Sequence, residues 1–130
     1  MNLFSYNSKH KIVVGILVIL WAAYSFSGER EANVYNEKGQ VLQSGNFENG
    51  KNHGKWTWYY PNGKKKMEGN FKMGSREGEW ITYDQKGNIL TKSNYENDKL
   101  EGIVVTFDET GKILTQTVYK NDEIVSKIKY

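Results

Sequence analysis

No cysteine occurs in this 130-residue chain, which excludes a disulfide staple, a thiolate nucleophile and a cysteine zinc site. The redox compartment stays open on that count. Histidine is almost as scarce. His10 lies near the start and His53 stands alone, so no spacing converges on a metal ion. There is one proline against thirteen glycines, and aromatic residues make up 14% of the chain. That balance predicts many tight turns in a folded chain, because disordered tracts are poor in aromatics. A surplus of one charge is also missing. All fifteen acidic residues and sixteen of the eighteen basic ones fall after residue 28 and interleave there, leaving that part near +1. A duplex nucleic-acid footprint needs a clustered basic face, so nucleic acid is not an expected partner.

What is present is repetition. A 24-residue unit occurs four times after residue 30 without a gap. Tyr35, Tyr59, Tyr83 and Phe107 recur at that spacing, as do Gly39, Gly63, Gly87 and Gly111. Phe47, Phe71, Tyr95 and Tyr119 form a third column, and Gly54, Gly78 and Gly102 a fourth. A fixed period of this length means a stacked array in which each unit buries its apolar face against its neighbours.

The second unit, 55–78, shows what is stacked. The β-favouring run Trp56-Thr-Trp-Tyr-Tyr60 meets Pro61-Asn62-Gly63, and a second run, Lys65-Lys-Met-Glu-Gly-Asn-Phe71, follows. Such a tripeptide makes a tight reversal, repeated at Asn36…Gly39, Asp84…Gly87 and Asp108…Gly111. Between hairpins the links Asn49-Gly50…Gly54, Gly74…Gly78 and Asn97-Asp98…Gly102 read as looser turns. No run has a 3.6-residue period. In the second strands a small residue stands two places before an aromatic (Gly45 and Phe47, Gly69 and Phe71), leaving room for a ring from the adjacent strand. Trp80 and Tyr83 sit three apart, which requires a bulge or the use of both faces. The expected fold class is all-β: a meandering antiparallel single-layer sheet of stacked β-hairpin repeats, about nine short strands, preceded by one N-terminal hydrophobic helix. The units run over about 31–54, 55–78, 79–102 and 103–126, with a terminal strand at 127–130. The alternating lysines of that strand suit a protected sheet edge, or else an edge that docks a partner strand.

Residues 1–27 form a separate segment. Lys9, His10 and Lys11 precede the fifteen-residue uncharged run 12–26, and charge returns at Glu29. This is an export signal with two readings: cleavage after Ser27, or retention as a membrane anchor with Trp21, Tyr24 and Phe26 at the outer interface. The long basic region and imperfect cleavage site favour the anchor. Either way the repeat domain, 28–130, is expected on the extracytoplasmic side, in the periplasm or at the cell surface.

The pattern Gly54-Lys-Trp56-Thr-Trp-Tyr59-Tyr-Pro-Asn-Gly63, then Glu68-Gly-Asn-Phe71, then Gly78-Glu-Trp80-Ile-Thr-Tyr83 resembles MORN repeats, the membrane occupation and recognition nexus motif. It is most similar to the bacterial variant found among antitoxin components of toxin–antitoxin pairs. The resemblance covers about residues 34–126 and weakens at the ends, where Val104 replaces tryptophan and Ser126 replaces glycine. It implies a single-layer sheet curved into an open trough, and a non-enzymatic role in protein interaction. Lipid binding is a further implication for some members.

Candidate sites follow from the same columns. Trp56, Trp58, Tyr59, Tyr60 and Trp80 form the densest aromatic cluster; stacking between repeats is its structural role and gripping a partner its functional one, with Trp56, Trp58, Tyr60, Trp80 and Tyr83 as the candidate contacts. Lys64, Lys65 and Lys66 make one basic hairpin tip, either solvated or in contact with anionic lipid or an acidic partner. His53 reads as a surface side chain, and Asp108-Glu109 as a solvated turn without calcium-loop spacing. No catalytic residue, metal, cofactor or small-molecule substrate is expected. The expected function is a non-catalytic binding scaffold for a protein partner, with membrane contact through the front segment. An antitoxin that neutralises a cognate toxin, or a lipid-surface binder, is the alternative.

Overall fold

The computed structural model describes residues 16–19, a single helical turn, and 28–130. The predicted anchor or signal over 1–27 otherwise lies outside the described residues. Among the described residues no helix is long and apolar enough to cross a membrane.

The repeats form one antiparallel sheet of eleven described strands. They are β1 (Arg30–Glu31), β2 (Val34–Tyr35), β3 (Val41–Glu48), β4 (Lys51–Tyr59), β5 (Lys65–Lys72), β6 (Ser75–Tyr83), β7 (Ile89–Glu96), β8 (Lys99–Leu100), β9 (Gly102–Phe107), β10 (Ile113–Lys120) and β11 (Glu123–Lys129). Sheet order follows chain order. The strands occupy nine positions, because β1 and β2 share one side of β3 while β8 and β9 share one side of β7. Strands β3, β5, β7 and β10 begin 24 residues apart, so the sequence period is also the structural period.

The turns reverse the sequence-based expectation. The links read as loose are the tightest reversals. Asn49-Gly50, Met73-Gly74, Asn97-Asp98 and Asn121-Asp122 are two-residue turns with both φ angles positive, the hairpin geometry that matches the twist of the flanking strands. The Pro61-Asn62-Gly63 reversal and its equivalents are longer, closed by Gly63 N–H to the Tyr60 carbonyl at 2.9 Å. Gly54 and Gly78 are therefore strand residues, with φ of 67° and 71°, next to shifts in the pairing register with β3 and β5. These bulges were hidden because a glycine in a strand and a glycine in a loop look alike in sequence. For the same reason β11 starts at Glu123, ahead of the expected 127.

A single-layer sheet has little interior. Among the described residues the buried apolar side chains are Trp56, 1% exposed, and Trp80, 5% exposed. Each indole lies over a glycine of the preceding strand. A Cβ on Gly45 would stand 2.2 Å from the Trp56 ring, and one on Gly69 2.2 Å from Trp80. Side rings close the stack edge-on: Phe47 to Trp56 at 5.4 Å and 70°, Trp56 to Phe71 at 6.0 Å and 80°, Phe71 to Trp80 at 5.1 Å and 90°, Trp80 to Tyr95 at 6.0 Å and 74°. Such edge-to-face pairs add about 0.5–1.5 kcal/mol each beyond burial.

The last hairpin departs from the others. Gln43 pairs with Trp58, Met67 with Thr82 and Thr91 with Thr106, each 15 residues apart. The repeat would then pair Thr115 with Tyr130, yet Thr115 pairs with Lys129. Ser126 stands where the other units have a positive-φ glycine, and it does not adopt that conformation. Glu123 and Ile124 keep the repeat's register, but from Ser126 onward the strand is slipped by one residue, which turns those side chains to the other face.

Gly69→Ala should lower stability by about 1–3 kcal/mol, because its methyl must displace a ring already held by Phe71 and Tyr95. Urea unfolding measures this, and an unchanged midpoint would show that the stack is dispensable.

Candidate binding face

Strand alternation sorts the predicted aromatic cluster onto two faces. Trp56, Trp58 and Trp80 share one. Trp58 is half-buried and its ring lies 5.9 Å from Trp56 and 5.7 Å from Trp80, so one accessible indole rests on two buried ones. Tyr83 points the other way, because Thr82 between it and Ile81 takes the aromatic side. Both faces are used, which resolves the spacing of Trp80 and Tyr83. Tyr60 lies at the end of its strand, where its hydroxyl donates to the Tyr83 carbonyl at 2.8 Å.

The tryptophan face opens into a concavity of about 310 Å³. Trp58, Met67, Phe71 and Trp80 form its apolar wall, while Thr82, Thr91 and Ser93 supply hydroxyls. Tyr95 and Arg76 close one end. The Arg76 guanidinium sits 4.0 Å above the Tyr95 ring and donates to Asp98 Oδ1 at 3.0 Å. Thr82, Thr91 and Arg76 were not singled out from sequence. Their signal was available in strand parity: each is on the same side as a column aromatic. Trp56 Nε1 donates to the Asn46 carbonyl at 3.1 Å, whereas Trp80 Nε1 is buried and makes no hydrogen bond.

The basic tip is occupied internally. Lys64 Nζ donates to the Lys86 carbonyl at 2.5 Å, Lys65 reaches Glu68, and Lys66 lies 5.9 Å from the Tyr60 ring. Asn62 Nδ2 donates to the Gln85 carbonyl at 2.9 Å. Lys64, with Asn62 and Tyr60, therefore joins one hairpin tip to the next.

On the opposite face Glu68 is nearly buried. Its carboxylate accepts from Lys55 and Lys65, both at 2.8 Å, and from the Tyr83 hydroxyl at 2.5 Å. Burial by itself would push this carboxyl up, but the three hydrogen bonds outweigh it and hold the group at about 2 against an ordinary 4.5. Burial and the bond to Glu68 together push the Tyr83 phenol up to about 12. This cluster is a clamp across three strands, with every polar partner satisfied and no group poised for proton transfer. His53 lies 3.1 Å from Glu48. Among the described residues no three metal-ligating side chains gather.

Hairpins repeating every 24 residues, two of which pass an indole over a glycine of the preceding strand, are the decisive feature. The MORN repeat variant family matches residues 52–73, 76–97 and 100–121. The chain belongs to that family. No curated protein matches it. Each matched MORN segment runs from just after one two-residue turn to the next, so the tight turn marks the unit boundary. MORN repeats are non-catalytic binding modules, which fits a molecule whose polar clusters are structural and whose one apolar concavity described above is open.

The Glu68 clamp sets a pH dependence. Its folded-state pKa is lowered, so its stabilisation is complete above about pH 4.5 and is lost as pH falls towards 2. Tyr83 has the opposite sign: its contribution is complete below pH 10 and fades as pH rises through about 12. Glu68→Gln should cost about 1–3 kcal/mol near neutrality and flatten the acid-side slope of stability. Urea midpoints of both proteins between pH 7 and 2 check this; parallel slopes would assign the acid loss to another group.

Proposed function

We propose that this MORN protein is a non-catalytic scaffold that holds a protein partner by the concavity around Trp58. The supporting observation is the accessible indole of Trp58 braced on the buried rings of Trp56 and Trp80. Binding energy at protein interfaces concentrates in aromatic anchors whose rotamers are fixed in advance, since little entropy is then lost on contact. Trp56 and Trp80 support the site from beneath, and Trp58 with Met67 meets the partner. Tyr60 and Tyr83 serve the repeat junctions.

The repeats stand outside the cytoplasm in this reading, with the segment at 1–27 as tether or cleaved leader. Its support is the order of Lys9, His10 and Lys11 ahead of an uncharged stretch. The antitoxin reading rests on the family resemblance, and no feature of the face favours it.

A photo-crosslinking residue placed at Thr82 should give a discrete adduct in native membranes, and one at Lys92 on the opposite face should not. Trp58→Ala should remove the Thr82 adduct while leaving the urea midpoint within about 1–2 kcal/mol of wild type, whereas Trp56→Ala should cost about 3–5 kcal/mol. Adducts of equal yield from both faces would refute the assignment.

A further inference from the structure

Charge is segregated between the two faces of the sheet. Every glutamate paired in the strand ladder lies on the face of Glu68, as the pairs Glu48–Lys51, Glu79–Asn94 and Glu123–Lys120 illustrate. The aspartates lie outside the strands. The tryptophan face thus has no carboxylate within its strands. The slipped register of β11 then adds cations to it. Lys127 pairs with Thr117 and Lys129 with Thr115, which puts both ammonium groups on the tryptophan side and turns Ile128 away. Both lysines are exposed, and among the described residues neither forms an ion pair.

A single line of cross-strand neighbours joins the concavity to these lysines. It runs Trp58, Met67, Thr82, Thr91, Thr106, Thr115, Lys129. The threonine hydroxyls bond in pairs, Thr82 with Thr91 at 2.6 Å and Thr106 with Thr115 at 2.7 Å. Each pair uses one hydroxyl hydrogen internally and keeps one for a ligand, along with free lone pairs. The order across the face is apolar wall, hydroxyl track, then two unneutralised cations.

From this order we infer that the partner presents an extended acidic segment: one apolar side chain in the concavity, a backbone laid along the threonines, and a carboxylate pair at Lys127 and Lys129. The inference rests on the Trp58 reading and supplies the partner's chemistry. Four strand spacings separate Thr82 from Lys129, roughly 19 Å, which about six residues of extended chain span. A lone Leu without acids, or acids without the anchor, would satisfy only one end. A membrane surface fits less well, since among the described residues β11 brings two cations to this face, Lys127 and Lys129, and Arg76 is already engaged by Asp98.

The test uses the full chain in detergent and fluorescein-labelled peptides with one leucine and two glutamates separated by six Ser/Thr/Gly residues. Binding by anisotropy should be about tenfold tighter than for a two-residue spacer or for glutamine in place of glutamate, and should weaken with salt. Lys127→Glu with Lys129→Glu should weaken it about tenfold, the milder Lys→Gln pair less so, and Lys120→Glu on the other face not at all. Absence of binding by every peptide, or binding indifferent to the lysines, overturns the proposal. So does lysine-dependent capture by phosphatidylglycerol vesicles without peptide binding, which reassigns the cations to lipid. Thr82 adducts that persist in the lysine variants would overturn the acidic segment and spare the Trp58 reading; loss of those adducts in Trp58→Ala with no loss in the lysine variants separates the two in the same way.

Discussion

An indole lying flat over a glycine of the neighbouring strand is the contact on which the rest of this molecule depends. In a single-layer sheet no second layer covers the side chains, so burial must come from within the layer. Trp56 over Gly45 and Trp80 over Gly69 achieve it by placing the largest side chain against the smallest, at a distance where even a methyl group would collide. Edge-on phenylalanine and tyrosine rings then fill the flanks. The third of these strand pairs, β7 with β9, shows the rule by changing both partners together: Ser93 stands in the glycine column and Val104 in the tryptophan column. A smaller roof accompanies a larger floor.

This contact also explains how support and binding coexist in one cluster. The two covering indoles are consumed by the fold, and they in turn fix Trp58, which the adjacent strands leave accessible. The polar face works by a different physics. There Glu68 collects two lysines and a tyrosine across three strands, and low exposure makes each of those bonds worth more than it would be in water. One face holds the sheet by ring packing and the other by a satisfied charge cluster, which leaves the first free of carboxylates.

Much of the fold was legible from the columns. The 24-residue period, the antiparallel meander and the pairing of a small residue with an incoming ring all follow from residue spacing, because strand geometry repeats with period two and hairpins repeat with their turns. The turn assignment was not legible. Asn49-Gly50 and Pro61-Asn62-Gly63 carry the same turn-forming residues, and only the hydrogen-bonding register shows that the first is the tight reversal and that Gly54 belongs to a strand. The division of the aromatic residues between the two faces was likewise open in the sequence. Parity divides them, since Trp80 and Tyr83 differ by an odd number of positions.

By itself the amino-acid sequence determined the repeat, the all-β class, the size alternation that seats each indole, and the absence of any thiol or histidine cluster for chemistry. These are local matters of residue type and spacing. The tertiary structure alone decided which side chains share a face, since that depends on register, and register is a property of paired strands. With Ser126 in place of one bulge glycine, the last residues of β11 are shifted by a single residue, and through that shift two lysines and not an isoleucine come to stand beside the threonine track. No reading of the columns could place them there, because in the columns Ile128 is the equivalent of Trp80.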